Sequence, residues 1–505
     1  MKVSRRKLFQ NSLGAAALAG ASPLAPKGLA ADVGGVNLIN IFLKGAPVRC
    51  FWDLPLATHP DEVAKLPLNK IWGTRYDTSG GEYKGQIYQL TEIGPSGNKT
   101  WLPHLWSLSM PDSGGGTVSM ANLVNNLMII RGINSFFGDH IAGVANHFNP
   151  RGADRGLLEL QGDFSRNLIP SLKMGDGGGT SPVGRPCLEG DVDVDDPIAK
   201  IAGAGHDYSF AENPEKQSAV VEFLNRSSQY SGQGHSTLDY INTMQNELAN
   251  RTFGDTTATW DAVSAKYLAL TQAALSTVLP GISDQKIAFD SASKRNYYLD
   301  GRSSEMADYR NVILGTDAHM NDLAKKFALA EYAITSGLTG SVCISPDTIA
   351  DVQQGSNIIS NARDEHATGS MMSLLMNAYE SFSLATCINE LVSTLKTLNL
   401  FNNTVISISS EFGRGLHDDG RFSSHNQLGK SLTLFSGLID GPYVLGDISA
   451  KGAGESSITF REEANTIAKI LNVPAPFDSR YTSIVDRKDG KIVPKAGMGP
   501  GKQIG

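Results

Sequence analysis

Residues 404–414 run T-V-I-S-I-S-S-E-F-G-R. The first six are β-branched or small, with apolar side chains spaced as in a buried strand, so Thr404–Ser409 is expected to be one. Ser410-Glu411-Phe412-Gly413-Arg414 follows with no spacer. A glutamate at a strand end, a glycine that permits a tight turn and an arginine beside it make a compact polar site. Upstream, residues 371–398 carry Leu374, Leu375, Ala378, Phe382, Ala385, Ile388, Val392 and Leu395 on one stripe. That spacing predicts a long amphipathic helix, and Asn402-Asn403 turns the chain into the strand. A long helix running into a buried strand is one repeat of an α/β sheet.

The same pattern extends outward. Val36–Leu43, Leu127–Arg131, Ser341–Ile344 and Ser431–Phe435 read as further buried strands, and Glu462–Leu471 as a helix. Helical spacing dominates from about residue 212 to 338, most clearly at Leu238–Leu248, Ala262–Leu279 and Leu323–Ile334. Strands alternating with helices predict an α/β fold with a mainly parallel central sheet covered on both faces. Residues 44–116 and 174–190 are rich in glycine and proline and read as loops. The expected organisation is one domain over residues 31–486, with 212–338 a helical layer or insertion and 487–505 a flexible tail.

Composition narrows the function classes. The chain has 505 residues, 44 Lys plus Arg against 51 Asp plus Glu, a net charge of −7 and 41% hydrophobic residues. That hydrophobicity excludes a disordered chain. The acidic balance, with no basic run, argues against nucleic acid as partner. Ser4-Arg5-Arg6-Lys7-Leu8-Phe9, a short apolar stretch over 13–21 and small residues at Gly28-Leu29-Ala30 compose a twin-arginine export signal over residues 1–30. The expectation is a periplasmic or secreted protein, exported already folded. No later segment has the length and apolarity of a stable membrane span. Cys50, Cys187, Cys343 and Cys387 are too widely spaced to select a pairing and contain no Cys-x-x-Cys motif.

Ligands of open α/β sheets bind beyond the carboxyl ends of the strands. Glu411 and Arg414 stand there, followed by His417, Asp418, Asp419 and His425. The strand at 341–344 leads to Asp364-Glu365-His366 before the long helix, and the strand at 127–131 to Asp139-His140 and His147. The first strand is followed only distantly by Asp53. Asp, Glu and His together suit a divalent cation, zinc first, with manganese or calcium as alternatives. Each position also has a structural reading. Asp364 can cap a helix, Glu411 and Arg414 can form a structural ion pair, and His425 can be an ordinary loop histidine. Asp191–Asp196 opens like a calcium loop but lacks glycine at its sixth position and has Ala202 at its twelfth, so it reads as an acidic turn. Gly175–Gly179 is followed by no Gly-Lys-Ser/Thr and is no phosphate loop.

In their order these stretches resemble a family of twin-arginine-exported bacterial proteins within the alkaline phosphatase-like, or sulfatase-like, superfamily. The resemblance rests on N-L-I-N-I-F-L-K-G at 37–45, L-M-I-I-R-G at 127–132 with His140 beyond, I-P-S-L at 169–172 and Asp364-x-His366. It rests further on S-E-F-G-R at 410–414 with His425 downstream, and it spans most of the chain. It implies an alkaline phosphatase-like sheet between helical layers with a metal site at the strand ends. By position it implies Asp364, His366, Glu411 and His425 as metal ligands, with Arg414 and His140 handling substrate. The implied substrate is a small-molecule or polymer-linked phosphate or sulfate ester, hydrolysed with one or two divalent cations. The sequence departs from that pattern at Lys44-Gly45-Ala46, where relatives carry an acidic residue, and at Ser424, where they tend to carry Asp. No Ser, Thr or Cys stands out as nucleophile. Two functions follow: an exported metal-dependent ester hydrolase, or a degenerate member acting as an envelope binding or assembly protein. Neither reading sets the oligomeric state.

Overall fold

The computed structural model describes residues 35–56, 90–94, 99–153, 156–164, 171–174, 256–277, 286–288, 306–308, 313–314, 316–346, 351–354, 357–359, 370–415, 424–449, 452, 454 and 458–497. Its centre is a seven-stranded sheet. In chain order the strands of this sheet and of one short ribbon are β1 (Asn37–Phe42), β2 (Leu127–Ile133), β3 (Leu172–Met174), β4 (Ser341–Ile344), β5 (Thr404–Ser409), ribbon strands β6 (Gly413–Gly415) and β7 (Ser424–Asn426), then β8 (Lys430–Phe435) and β9 (Tyr443–Leu445). The spatial order of the sheet is β9-β2-β8-β5-β1-β4-β3. All neighbours are parallel except where β8 pairs with β5 and β2. β8 runs antiparallel because the chain returns from β5 through the β6–β7 ribbon, and an antiparallel return needs no helical crossover.

Alternation along the strands divides the core. Ile39, Ile41, Ile129, Ile406 and Ile408 face one side, where Tyr267, Phe327, Phe382 and Ile388 cover them from three helices. These are α3 (Thr256–Ser276), α4 (Thr316–Thr335) and α5 (Ser370–Thr397). Leu38, Met128, Ile130, Val405 and Leu434 face the other side, against Ile467, Ile470 and Leu471 of α6 (Phe460–Leu471). On that side α1 (His140–Phe148) also packs Val144 and Phe148 on Phe42, and α2 (Leu157–Phe164) contributes Leu158. The expected mainly parallel sheet with both faces covered is therefore present.

The helix boundaries follow their caps. α6 begins two residues earlier than the apolar spacing predicts because Thr459 and Glu462 close a capping box, and Asn472 ends it in a left-handed conformation with φ 60°. α5 departs from a one-stripe helix. From Met376 to Val392 nearly every residue is buried, including Asn377, Glu380, Thr386, Asn389 and Glu390. α3 and α4 enclose its polar flank, and Lys266 bridges Glu331 (2.8 Å) and Glu390 (3.1 Å) there. Periodicity reports where apolar residues lie, not how many neighbours a helix acquires.

Three other regions differ from the reading of the sequence. Residues 256–276 and 316–335 are helical as expected, but Lys286–Ala288 and Met306–Asp308 between them are strands that pair antiparallel; the expected helix at 238–248 lies outside the described residues. The tail does not fray at residue 487, because Val485–Lys488 and Lys491–Pro494 form a hairpin whose Ile492 N–H donates to Leu438 O (2.8 Å). After β1 the chain packs inward, burying Ala46, Val48, Cys50, Trp52, Leu54 and Leu56, and Trp106 Nε1–H donates to Trp52 O (2.7 Å). Cys50, Cys343 and Cys387 form no disulfide with one another.

That inward segment also accounts for Asp53, which is fully buried and pairs with Arg49. Arg49 in turn donates to Ser431 O (2.7 Å) and Ile408 O (3.0 Å), clipping the segment to β5 and β8. Asp53 is thus committed to Arg49 and does not replace a strand-end ligand. Removing one member of a buried pair strands the other charge, so Asp53→Ala is expected to destabilise the protein by about 3–5 kcal/mol. Arg49→Met with Asp53→Ala is expected to recover much of the loss, read as melting temperature across the double-mutant cycle.

Candidate active site

The parallel register of β1 and β5 places Phe42 opposite Ser409, and Leu43 N–H donates to Ser409 O (2.8 Å). The segments leaving these strands therefore emerge side by side. Gly45 (φ 95°) and Ala46 (φ 47°) both take left-handed backbone conformations just past β1. The glycine is free to do so; the alanine bears a strain typical of a turn held from outside. The hold comes from Arg414, whose Nε and Nη2 donate to Ala46 O and Gly45 O, each at 2.8 Å. In that turn Gly45 N–H points at Glu411 and donates to Oε1 (2.8 Å).

Glu411 is 1% exposed. Its Oε1 also contacts His140 Nδ1 at 2.6 Å, and its Oε2 has no hydrogen-bond partner among the described residues. His140 opens α1, where Asp139 caps the helix by accepting from Ala142 N–H (2.7 Å). One turn on, Gly143 lets the helix approach: a Cβ there would lie 2.9 Å from Glu411 Cβ. His425, on β7 opposite Arg414, meets His140 edge-on (ring centroids 4.7 Å) and lies tilted against Phe412 (4.4 Å).

The hydrogen bonds set the tautomers. His425 Nδ1 faces the carbonyl of Gly138 at 2.5 Å, which only accepts, so Nδ1 carries the proton. His140 Nδ1 faces a carboxylate, with the same result. An imidazole whose Nδ1 proton is anchored by an oxygen presents Nε2 as its acceptor whenever the ring is neutral.

A second polar group lies deeper, under α1. Ser407 Oγ donates to Asn40 Oδ1 (2.9 Å), and Asn40 Nδ2 lies 3.2 Å from His147 Nε2, while Phe42 stacks on the His147 ring (4.5 Å). Burial, and then the positive charge of Lys430, hold the His147 pKa well below its usual range. In the same row, burial pushes the Cys343 thiol up to about 12, so it is a packed thiol and not a nucleophile.

Of the residues the sequence singled out, the structure brings together Glu411, His140 and His425. Arg414 sits against the Gly45 turn, 5% exposed. Asp364, His366, His417, Asp418 and Asp419 lie outside the described residues. Among the described residues no group of three or more His, Cys, Asp or Glu is arranged to hold a metal ion. The residues that reading the sequence missed are Gly45 and Gly143, whose only signal is glycine where chain and carboxylate approach closely.

No family model matches the chain, and no curated protein matches it. A solved structure, the crystal structure of Ps i-CgsB, overlaps 88% of this chain and 74% of its own length, at 10% identity and a TM-score of 0.30. At that level it defines neither family nor chemistry.

Gly143→Ala forces α1 from Glu411 and is expected to cost about 1–3 kcal/mol. Gly138→Ala, where a Cβ meets nothing within 4 Å, is the control expected to leave the melting temperature unchanged. For His147 the unfolded chain binds a proton below pH about 6.5 and the native site resists it, so stability is retained above that pH and lost as the pH falls. The drop in melting temperature between pH 7.5 and 5.0 should therefore be smaller in His147→Phe than in the parent.

Proposed function

We propose that this chain is an exported, metal-dependent hydrolase of phosphate or sulfate esters, of the alkaline phosphatase-like kind its motifs resemble. The observation that supports this best is the meeting of Glu411, His140 and His425 at the carboxyl ends of β1 and β5, with Glu411 Oε2 buried and unsatisfied. A buried carboxylate oxygen without a donor is costly unless a cation or proton completes it. The donor chemistry fits a zinc-class cation, for which Glu411 and His425, with Asp364 and His366, are the proposed ligands. When bound, the cation would supply Lewis-acid polarisation of the ester oxygens.

The chain's own residues supply the rest. Gly45 N–H and His140 hold Glu411 Oε1 and so aim Oε2. Gly138 O keeps the His425 proton on Nδ1. His140 donates its Nδ1 proton to Glu411 Oε1 and so fixes how the carboxylate faces the site. Arg414 acts through the Gly45 turn and is a positioning residue.

One observation favours the second reading, a member without turnover. Lys44-Gly45-Ala46 offers neither a carboxylate nor a hydroxyl, and the turn is closed onto Glu411 and Arg414. Metal analysis of purified protein, beside p-nitrophenyl phosphate and sulfate assays, separates the two. The hydrolase reading expects bound metal in the parent, its loss in Asp364→Ala, and at least a hundredfold loss of rate in Glu411→Gln. Arg414→Gln should lower the rate about 10–100-fold. A metal-free parent that cleaves neither ester leaves the binding protein.

A further inference from the structure

We propose that the rim of this site receives an apolar group, making the preferred ligand an amphiphilic phosphate or sulfate monoester; this rests on the ester-site reading above. Among the described residues the large apolar side chains left exposed are Phe136 (48%), Ile141 (86%) and Leu428 (38%). Single exposed apolar residues are ordinary on any surface, and their scatter needs no cause. These three do not scatter. Ile141 follows His140, and Leu428 stands three residues after His425 in the turn between β7 and β8. Phe136 lies in the segment that joins β2 to α1.

The two segments are tied together. Ser135 N–H donates to Gln427 O (2.8 Å), and His425 Nδ1 donates to Gly138 O (2.5 Å). The stretches that carry the two histidines are thus the ones that carry the apolar side chains, so an ester bound at the Glu411–His140–His425 site would lie beside them. Phe136 reaches the surface at φ 60°, an uncommon conformation for a bulky residue. It is held there: its N–H donates to Asn134 Oδ1 (2.9 Å), Ser135 Oγ donates to Phe137 O (3.0 Å), and its ring meets Phe460 edge-on (5.8 Å). A backbone constrained to present an aromatic ring at the edge of a polar site matches the usual composition of ligand sites, apolar walls around few oriented polar groups.

The test is calorimetric titration of the purified full chain with methylphosphonate and octylphosphonate, and with methyl and octyl sulfate, below micellar concentration. The parent is compared with the triple variant Phe136→Ser, Ile141→Ser, Leu428→Ser, whose fold is checked by its melting temperature. Each buried methylene strengthens binding about fourfold, so partial burial of the chain predicts octyl over methyl by at least about 30-fold in the parent. The variant should lose that preference, to within about threefold, while its affinity for the methyl compound is unchanged. Methyl compounds that bind with no chain-length preference overturn this inference and leave the ester site standing. Absence of binding by all four overturns the ester site and the inference with it. Octanol binding as well as octyl sulfate makes the patch a headgroup-independent apolar surface, and a parent dimer that the variant converts to monomer by light scattering makes it a self-interface; either result overturns the inference.

Discussion

The site depends on keeping a carboxylate at the end of β5 in a place where water scarcely reaches. Burying Glu411 is expensive unless donors or charge meet it, and each neighbouring element is shaped by that demand. The turn after β1 adopts two left-handed residues so that one N–H can point at Oε1. Helix α1 begins at a histidine that reaches the same oxygen, and it carries a glycine where any side chain would collide with Glu411. The parallel pairing of β1 with β5 makes this possible, since it releases both loops on the same edge of the sheet.

Two buried arginines near this edge serve the backbone. Arg414 holds the carbonyls of the Gly45 turn, and Arg49, neutralised by Asp53, holds carbonyls of β5 and β8. A guanidinium presents several donors in a fixed plane, which suits it to pinning carbonyls in a region where chain direction changes. The polar row of Ser407, Asn40 and His147 continues the pattern beneath α1: polar groups in the sheet are satisfied by one another, so helix and sheet meet in a defined register. On the opposite face Lys266 does the same between α4 and α5.

Much of this was legible in order. The uncharged runs of β-branched and small residues at 404–409 and 341–344 mark β5 and β4 to the residue, because a strand buried on both faces admits no charged side chain. Glu411 could be picked out because a charged residue directly after such a strand has few structural reasons to be there, and His425 because it follows in the same loop region before the next strand. Other features were not legible. The direction of β8 depends on a return through a ribbon too short to show periodicity. The full burial of α5 depends on α3 and α4, helices from separate earlier stretches of the chain. The hairpin at 485–494 hides in a stretch whose composition suits a tail, since a two-stranded hairpin is stabilised by what it packs against and not by its own residues.

The sequence by itself determined the fold class and which residue types stand at the strand ends, because strand burial and helix periodicity are properties of neighbouring residues along the chain. Tertiary structure alone decided the partners of those residues. Arg414 turns to the backbone of Gly45 and Ala46, Asp53 turns to Arg49, and Glu411 receives His140 from 271 residues away. Such pairings follow from which strands lie side by side and how closely a helix can approach, and sequence distance holds no record of either.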